Sequence, residues 1–348
     1  MVFTSEQVSC GHPDKICDQI SDAIVTDCLQ HDPKSRCGIE CLIKDRDILV
    51  SGELSSLHHP DLERLAFDVL HRVGIRDTSQ YWVTDWLGIQ SPDIACGVDT
   101  GGAGDQGMMF GFATDETPEM LPIPFAVATF ALRLLRDLNS TIFLPDAKAQ
   151  VSFDYDTGRI KTFLISTQHR AEYAVDDFRS IVETVMETAA AEYDLNTNFN
   201  RLVNPTGRFV IGGSFADCGL TGRKIIADTY GGMCRHGGGA LSGKDPTKVD
   251  RSGAYMARKI AKDIVRAGWA RRCEIQLAYA IGVAEPVSVG VDCFGTEVMP
   301  VAEIAKRVHG MYDLTPRGII DRLHLLDVDY NDVAAYGHFG RPGLPWEE

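Results

Sequence analysis

The chain has 348 residues, with 49 Asp and Glu against 34 Lys and Arg, and its formal net charge of −15 excludes loose electrostatic adhesion to nucleic acid or anionic lipid. At 44% hydrophobic and 24% charged residues, the composition is that of a globular protein with enough chain for about two or three compact units. No stretch reaches the roughly 18 apolar residues of a membrane span, and Met1-Val2-Phe3-Thr4-Ser5-Glu6 lacks the basic and apolar regions of a secretion signal, so a cytoplasmic protein is expected. Ten cysteines with no Cys-x-x-Cys spacing read as reduced small hydrophobes, not as a zinc knuckle or a disulfide framework.

In chain order, Pro13 opens a helix over 14–29, where Ile16, Ile20, Ile24 and Cys28 recur near helical period. A β-rich run over 48–54 follows, then a helix over 60–73 carrying Leu62, Leu65, Ala66, Val69 and Val73. Residues 151–155 and 160–165 form a hairpin through Asp156-Thr157-Gly158. Helices over 176–190 and 250–267 come next, the second bounded by Asp250 and Gly268 as caps, and strands over 273–283 and 287–291 complete the set. Hairpins interspersed with helices favour an α+β fold over a doubly wound parallel sheet. The Gly/Pro-rich breaks at 91–107 and 204–213 read either as domain seams or as active-site loops within one intertwined body.

Charge is distributed unevenly. Between Arg201 and Arg272 there are 14 Lys and Arg and 5 acids, a local net charge of +9, and eleven of the 33 glycines fall between Gly207 and Gly243. Cations beside backbone that a ligand can approach closely point to polyphosphate, and the alternative is a basic helix face next to an unrelated glycine-rich loop. Gly238-Gly239-Ala240-Leu241-Ser242-Gly243-Lys244-Asp245 comes close to a phosphate-binding P-loop, but Asp245 replaces the magnesium-binding hydroxyl and would lie beside the phosphates. In Gly11-His12-Pro13-Asp14-Lys15, His12 sits at a helix cap and Asp14 in the first turn; the acid either stabilises the helix end or, beside Lys15, delivers a hard cation to phosphate oxygens.

These clusters, with Phe3-Thr4-Ser5-Glu6, Gly104-Asp105-Gln106-Gly107, Gly207 through Gly213, Asp217 through Lys224, Asp228 through Gly232, Gly237 through Asp245 and Ala335 through Arg341, resemble the signatures of S-adenosylmethionine synthetases from end to end. The resemblance implies three similar α+β subdomains about a pseudo-threefold axis, expected over 1–95, 103–210 and 212–348. It also implies a homodimer with active sites at its interface, often a dimer of dimers. The reaction implied is attack of the methionine thioether on C5′ of ATP, followed by hydrolysis of the released triphosphate to phosphate and diphosphate. Position by position, His12, Lys148, Arg223 and Lys244 correspond to catalytic groups. Asp146, Arg208, Phe209, Asp217, Lys224 and Ala240 join them in contacting ATP, with Phe209 offering apolar area to adenine. Glu53, Gln90, Asp217 and Lys248 correspond to methionine contacts, Asp14 and Asp250 to ligands of two Mg²⁺ ions, and Glu40 to the acid linked to K⁺. Asp250 could instead serve only as an N-cap.

Two departures from the family pattern stand out. Cys10 occupies the place of a usual glutamate; it is expected to be a buried, inert thiol unless exposure beside Lys15 gives it thiolate character. Between Ser91-Pro92-Asp93 and Gly102 the usual long charged loop is cut to a few residues, from which faster product escape and turnover of the larger substrate ethionine are expected. The rival readings are a kinase or ligase, which would release ADP, and a non-catalytic regulatory subunit. Retention of His12, Asp14, Lys148, Arg223, Lys244 and Asp250 argues against the latter.

Overall fold

The computed structural model describes residues 1–90, 101–138 and 141–348, so the shortened loop after Gln90 lies almost wholly outside the described residues. In chain order the elements are β1 (Val2–Val8), α1 (Pro13–His31), β2 (Arg36–Lys44), β3 (Asp47–Ser55), α2 (Leu62–Val73), β4 (Trp82–Gly88), β5 (Gly107–Thr114), α3 (Ile123–Asp137), β6 (Phe143–Asp154), β7 (Arg159–His169), α4 (Val175–Glu192), β8 (Asn200–Val203), β9 (Gly219–Leu220), α5 (Ile225–Asp228), α6 (Val249–Arg266), β10 (Arg272–Tyr279), β11 (Ser288–Asp292), α7 (Val301–Met311) and α8 (Pro316–Arg322). The helices expected from periodicity are α1, α2, α4 and α6, and the expected hairpin is β6–β7. The strand expected over 273–283 stops at Tyr279. Helix α3 escapes the periodicity reading because Phe125 through Ala128, Ala131, Leu132 and Leu135 are all buried, leaving little polar contrast for a 3.6-residue pattern to show.

The strands form three sheets, in the orders β1-β6-β7-β8, β4-β3-β2-β9 and β11-β10-β5. Each sheet takes a strand from a distant stretch of chain. β1 runs antiparallel to β6 with Val2 opposite Asp154 and Val8 opposite Lys148, β5 pairs with β10 with Gly107 opposite Tyr279, and β9 pairs with β2 with Leu220 opposite Leu42. Helices cover the sheets in turn: α1 on β2 with α2 beside it, α3 on β1 and β6 with α4 beside it, and α6 on β5 and β10. The result is α+β with three sheet-and-helix units. Gly111 shows how close the layers come, because a Cβ there would sit 2.0 Å from the Ala257 carbonyl carbon of α6. Among the described residues, no helix is long and apolar enough to cross a membrane.

Candidate active site

The site begins at the start of α1, where Pro13 fixes the first helical φ and His12 is the N-cap, its Nδ1 accepting the Asp14 N–H at 3.2 Å. Since Nδ1 accepts, the ring proton of the neutral imidazole is on Nε2, a donor for an incoming ligand. Burial, reinforced by Lys224 and Lys148, pushes the His12 pKa down to about 3, so it is neutral at physiological pH. Asp14 is 1% exposed yet ionised: burial raises its pKa, but the Lys224 hydrogen bond and the Leu220 N–H outweigh it and hold the carboxyl below its usual value. Its Oδ1 accepts the Leu220 N–H at 2.9 Å and its Oδ2 lies 2.5 Å from Lys224 Nζ, with Arg223 Nε at 3.9 Å.

Asp14 is the first of three acids at helical spacing. Asp18 accepts the Gly222 N–H at 2.8 Å and Asp22 the Gly243 N–H at 2.9 Å, so one face of α1 holds both glycine-rich segments in place. Their counter-ions are Lys15, at 2.6 Å from Asp18, and Arg251, bonded to Asp22. Lys15 therefore does not partner Asp14 at the ligand face: it is 1% exposed and bonded to Asp18, Asp228 and the Ala334 carbonyl, the last at 3.0 Å. Asp18 and Asp22 lie in no family motif, and Asp228, though it opens the Asp228 through Gly232 motif, had no role assigned to it. The recurrence of acids four residues apart on an otherwise buried helix is the signal that reveals the first two.

Asp146 faces the same region from β6. It is 6% exposed, one oxygen accepts the Gly213 N–H at 2.8 Å, and its Oδ1 has no hydrogen-bond partner among the described residues. Burial pushes its pKa up to about 6. A buried acceptor without a donor suits a ligand hydroxyl. Lys148, two residues on, is exposed, and Phe209 is held by its N–H on His169 Nε2 at 3.1 Å. Arg208 and Asp217 are also exposed, and the Asp217 carboxylate accepts the Cys218 N–H at 2.8 Å.

A second group lies at the start of α6. Lys248 is the N-cap and Asp250 belongs to the first turn, so Asp250 is not the cap, and its Oδ2 lies 2.5 Å from Lys244 Nζ. Asp250 packs against Gly239, and Ala240 packs against Gly222, which joins this group to the Asp18 end of the first. Asp245 points elsewhere than phosphate: it is fully buried and accepts the Cys37 N–H at 2.8 Å and the Thr247 N–H at 2.8 Å. The glycine-rich segment is thus a clasp on β2, bridged at Gly38–Lys244, and not a P-loop between strand and helix. Gly243 needs its φ of +81°, and a Cβ there would lie 2.0 Å from the Ile39 carbonyl oxygen.

Glu53 and Glu40 lie on the β4-β3-β2-β9 sheet, Glu53 opposite Gly38, which is itself bridged to Lys244, and Glu40 opposite Ser51, with Gln90 buried just past β4 and its N–H on Ser55 Oγ at 3.3 Å. Among the described residues, no hydrogen bond or ion pair links Glu53, Glu40 or Gln90 to the His12 group. Cys10 is 3% exposed and accepts from the Tyr336 hydroxyl at 3.4 Å, matching the expected buried thiol.

The local excess of +9 is not one patch. Arg251 and Arg258 are fully buried on Asp22 and Glu347, Lys262 is 2.8 Å from Glu347, and Arg201, Arg235, Lys259 and Arg271 pair with Glu187, Glu274, Asp263 and Asp115. Counting charge along the chain cannot separate such structural cations from those facing a ligand. Arg208, Arg223, Lys224, Lys244 and Lys248 remain in the segments that make up the candidate site.

Three family models cover nearly all of the chain: the N-terminal domain of S-adenosylmethionine synthetase matches residues 1–91, the central domain 100–209 and the C-terminal domain 211–348. Together with the three sheets and the lysine–carboxylate clusters, these matches establish that the chain belongs to the S-adenosylmethionine synthetase family, transferases that synthesise S-adenosylmethionine.

Proposed function

We propose that the protein joins L-methionine to ATP, the thioether sulfur attacking C5′ while the C5′–O bond breaks and triphosphate departs with the electron pair. Water then splits the triphosphate into phosphate and diphosphate. The sulfur has no proton to lose, so the first step needs alignment and cations at the departing oxygens rather than a base. The observation that carries this reading is that Lys224 and Lys244 each stand 2.5 Å from a carboxylate, Asp14 and Asp250. These ammonium groups are held ready at the loop edges and can turn from carboxylate to phosphate when the nucleotide enters.

His12, neutral with its proton on Nε2, donates to the oxygen that becomes negative. Lys148, Arg208 and Arg223 add charge around the tail, Asp146 Oδ1 accepts a ribose hydroxyl, and Phe209 and Ala240 border the base. The acids fit hard cations: Asp14 and Asp250 would hold two Mg²⁺, with K⁺ near Glu40, and these ions would neutralise phosphate charge. Glu53, Gln90, Asp217 and Lys248 hold methionine. Following the family pattern, we place the complete site between two copies, in a homodimer or a dimer of dimers working in the cytoplasm; among the described residues, the lack of any hydrogen bond or ion pair from Glu53 or Gln90 to the His12 group is compatible with that arrangement.

One incubation with ATP, methionine, Mg²⁺ and K⁺ followed by mass spectrometry tests the reading. S-adenosylmethionine, phosphate and diphosphate are expected in equal amounts; ADP would replace this assignment with a kinase or ligase.

A further inference from the structure

At the opposite end of α1 from His12, about 27 Å away at 1.5 Å per residue, three potential metal ligands converge. Asp27 and His31 are four residues apart on one helix face, and His58 reaches them from the turn after β3. One ligand atom from each lies within 4.8 Å of the others. His58 Nε2 is 2.6 Å from Asp27 Oδ2, and the two imidazoles stack with centroids 4.1 Å apart.

We propose that Asp27, His31 and His58 form a binding site for a divalent ion of the zinc class, separate from the Mg²⁺ and K⁺ positions of the reaction. Two features beyond proximity support it. The His31 Nδ1–H donates to the Asp27 backbone carbonyl at 2.8 Å, which fixes the tautomer and leaves the Nε2 lone pair for a metal, the arrangement that orients most ligating histidines. The turn bearing His58 is itself anchored, with the Leu57 N–H on Asp32 Oδ2 at 2.9 Å and the Ser56 hydroxyl 2.7 Å from that of Ser35. The turn is therefore held against α1 before any ion arrives, and the exposed His31 ring has only to rotate out of the stack for both in-plane lone pairs to meet one ion. Two imidazoles and a carboxylate suit Zn²⁺, Co²⁺ or Ni²⁺ better than Mg²⁺, with a fourth position open to water.

Arg64 is the competing cation, 3.3 Å from Asp27 Oδ1. It is half exposed and also lies 3.3 Å from Asp68, so it has a second carboxylate to turn to when a metal occupies Asp27. An ion bound here would tie the end of α1 to the segment that follows β3.

The test uses the full chain in saturating Mg²⁺, titrated with Co²⁺ or Zn²⁺ in equilibrium dialysis and by absorption. Wild type should bind one ion per chain, with weak visible cobalt bands and without the near-ultraviolet band of thiolate ligation. His31→Ala and His58→Ala should each weaken binding by at least about tenfold, and Arg64→Gln should tighten it severalfold. His31 is 55% exposed on its side chain, so His31→Ala should fold normally and keep its melting midpoint without added metal, yet lose the rise that Zn²⁺ gives wild type. Equal binding by wild type and both histidine variants, or a thiolate band accounting for the bound cobalt, would overturn the proposal.

Discussion

Lys224 sits on Asp14, which is 1% exposed, while its own side chain is 22% exposed, and this asymmetry separates its two roles. Removing it leaves a buried carboxylate with the Leu220 N–H and the more distant Arg223, a stability cost of about 1–2 kcal/mol after allowing for solvent screening at the lysine. The proposed loss in catalysis is larger, because a cation aimed at a leaving polyanion acts most strongly in the transition state. Lys224→Met should lower kcat by roughly 100-fold or more, read in a steady-state assay, with the melting midpoint only modestly reduced. Asp146 gives the pH counterpart. Its folded pKa, about 6 through burial, lies above the ordinary 3.8, so the native state holds this proton more tightly than the unfolded chain does. Its contribution to stability is therefore fullest below about pH 4 and falls as the pH rises to about 6. If its ionised Oδ1 accepts from ATP, KM for ATP should climb as pH drops below about 6. Asp146→Asn should abolish both dependences, and melting curves and KM measured from pH 5 to 8 would show it. His12, Asp14, Asp146 and Lys224 were legible as site candidates because each lies in a short motif. Asp18 and Asp22 lie in no motif and are marked in the sequence only by their four-residue spacing from Asp14, while the N–H groups they hold are about 200 residues away.

At the level of elements, α1 and α6 are joined by a fully buried ion pair, Arg251 to Asp22, with Arg251 Nε also on the Leu241 carbonyl at 2.6 Å. Asp22 at the same time holds Gly243, the residue before Lys244. Replacing Asp22 with Ala strands a buried guanidinium and should cost about 3–5 kcal/mol in chemical denaturation. Asp22→Leu combined with Arg251→Met should recover much of that stability, because a packed apolar pair avoids the desolvation of two charges. Activity should stay low in the double variant, since the Gly243 N–H has lost its acceptor and Lys244 is left held only by the Gly38 bridge and Asp250. Recovered stability together with recovered activity would show that the Asp22 contact with Gly243 does not position the site. The same helices explain what periodicity can and cannot reveal. α2 and α6 were legible because charged residues alternate with their apolar positions along the sequence, even though Arg251, Arg258 and Lys262 of α6 are themselves buried in ion pairs. α3 was not, because its sequence is apolar almost throughout until Arg133 and offers no polar positions to set the period, and β5 and β9 became strands only by pairing with β10 and β2, partners far along the chain.

Across the whole molecule, the three sheets are interlaced so that a cut at either glycine-rich seam divides a sheet. Residues 100–209 on their own would lack β1, exposing the edge of β6, and would leave β5 without β10. The last residues add a further tie. Glu347 bonds Arg258 through both oxygens at 3.0 Å and accepts the Gly340 N–H at 2.8 Å, and Trp346 is fully buried, stacked on Tyr255 of α6 with centroids 3.7 Å apart. With cores shared in this way, local unfolding of one unit breaks hydrogen-bond ladders in the others, so calorimetry should record one cooperative transition rather than three. A fragment spanning 100–209 should show no protected core in hydrogen exchange, and Trp346→Ala should lower global stability by about 3–5 kcal/mol through the cavity beside Tyr255. That variant is the sharper probe. If the units were independent, its cost would be confined to the α6 region and a second, unshifted transition would persist; in the interlaced body the single transition moves as a whole, carrying the His12 site on α1 with it.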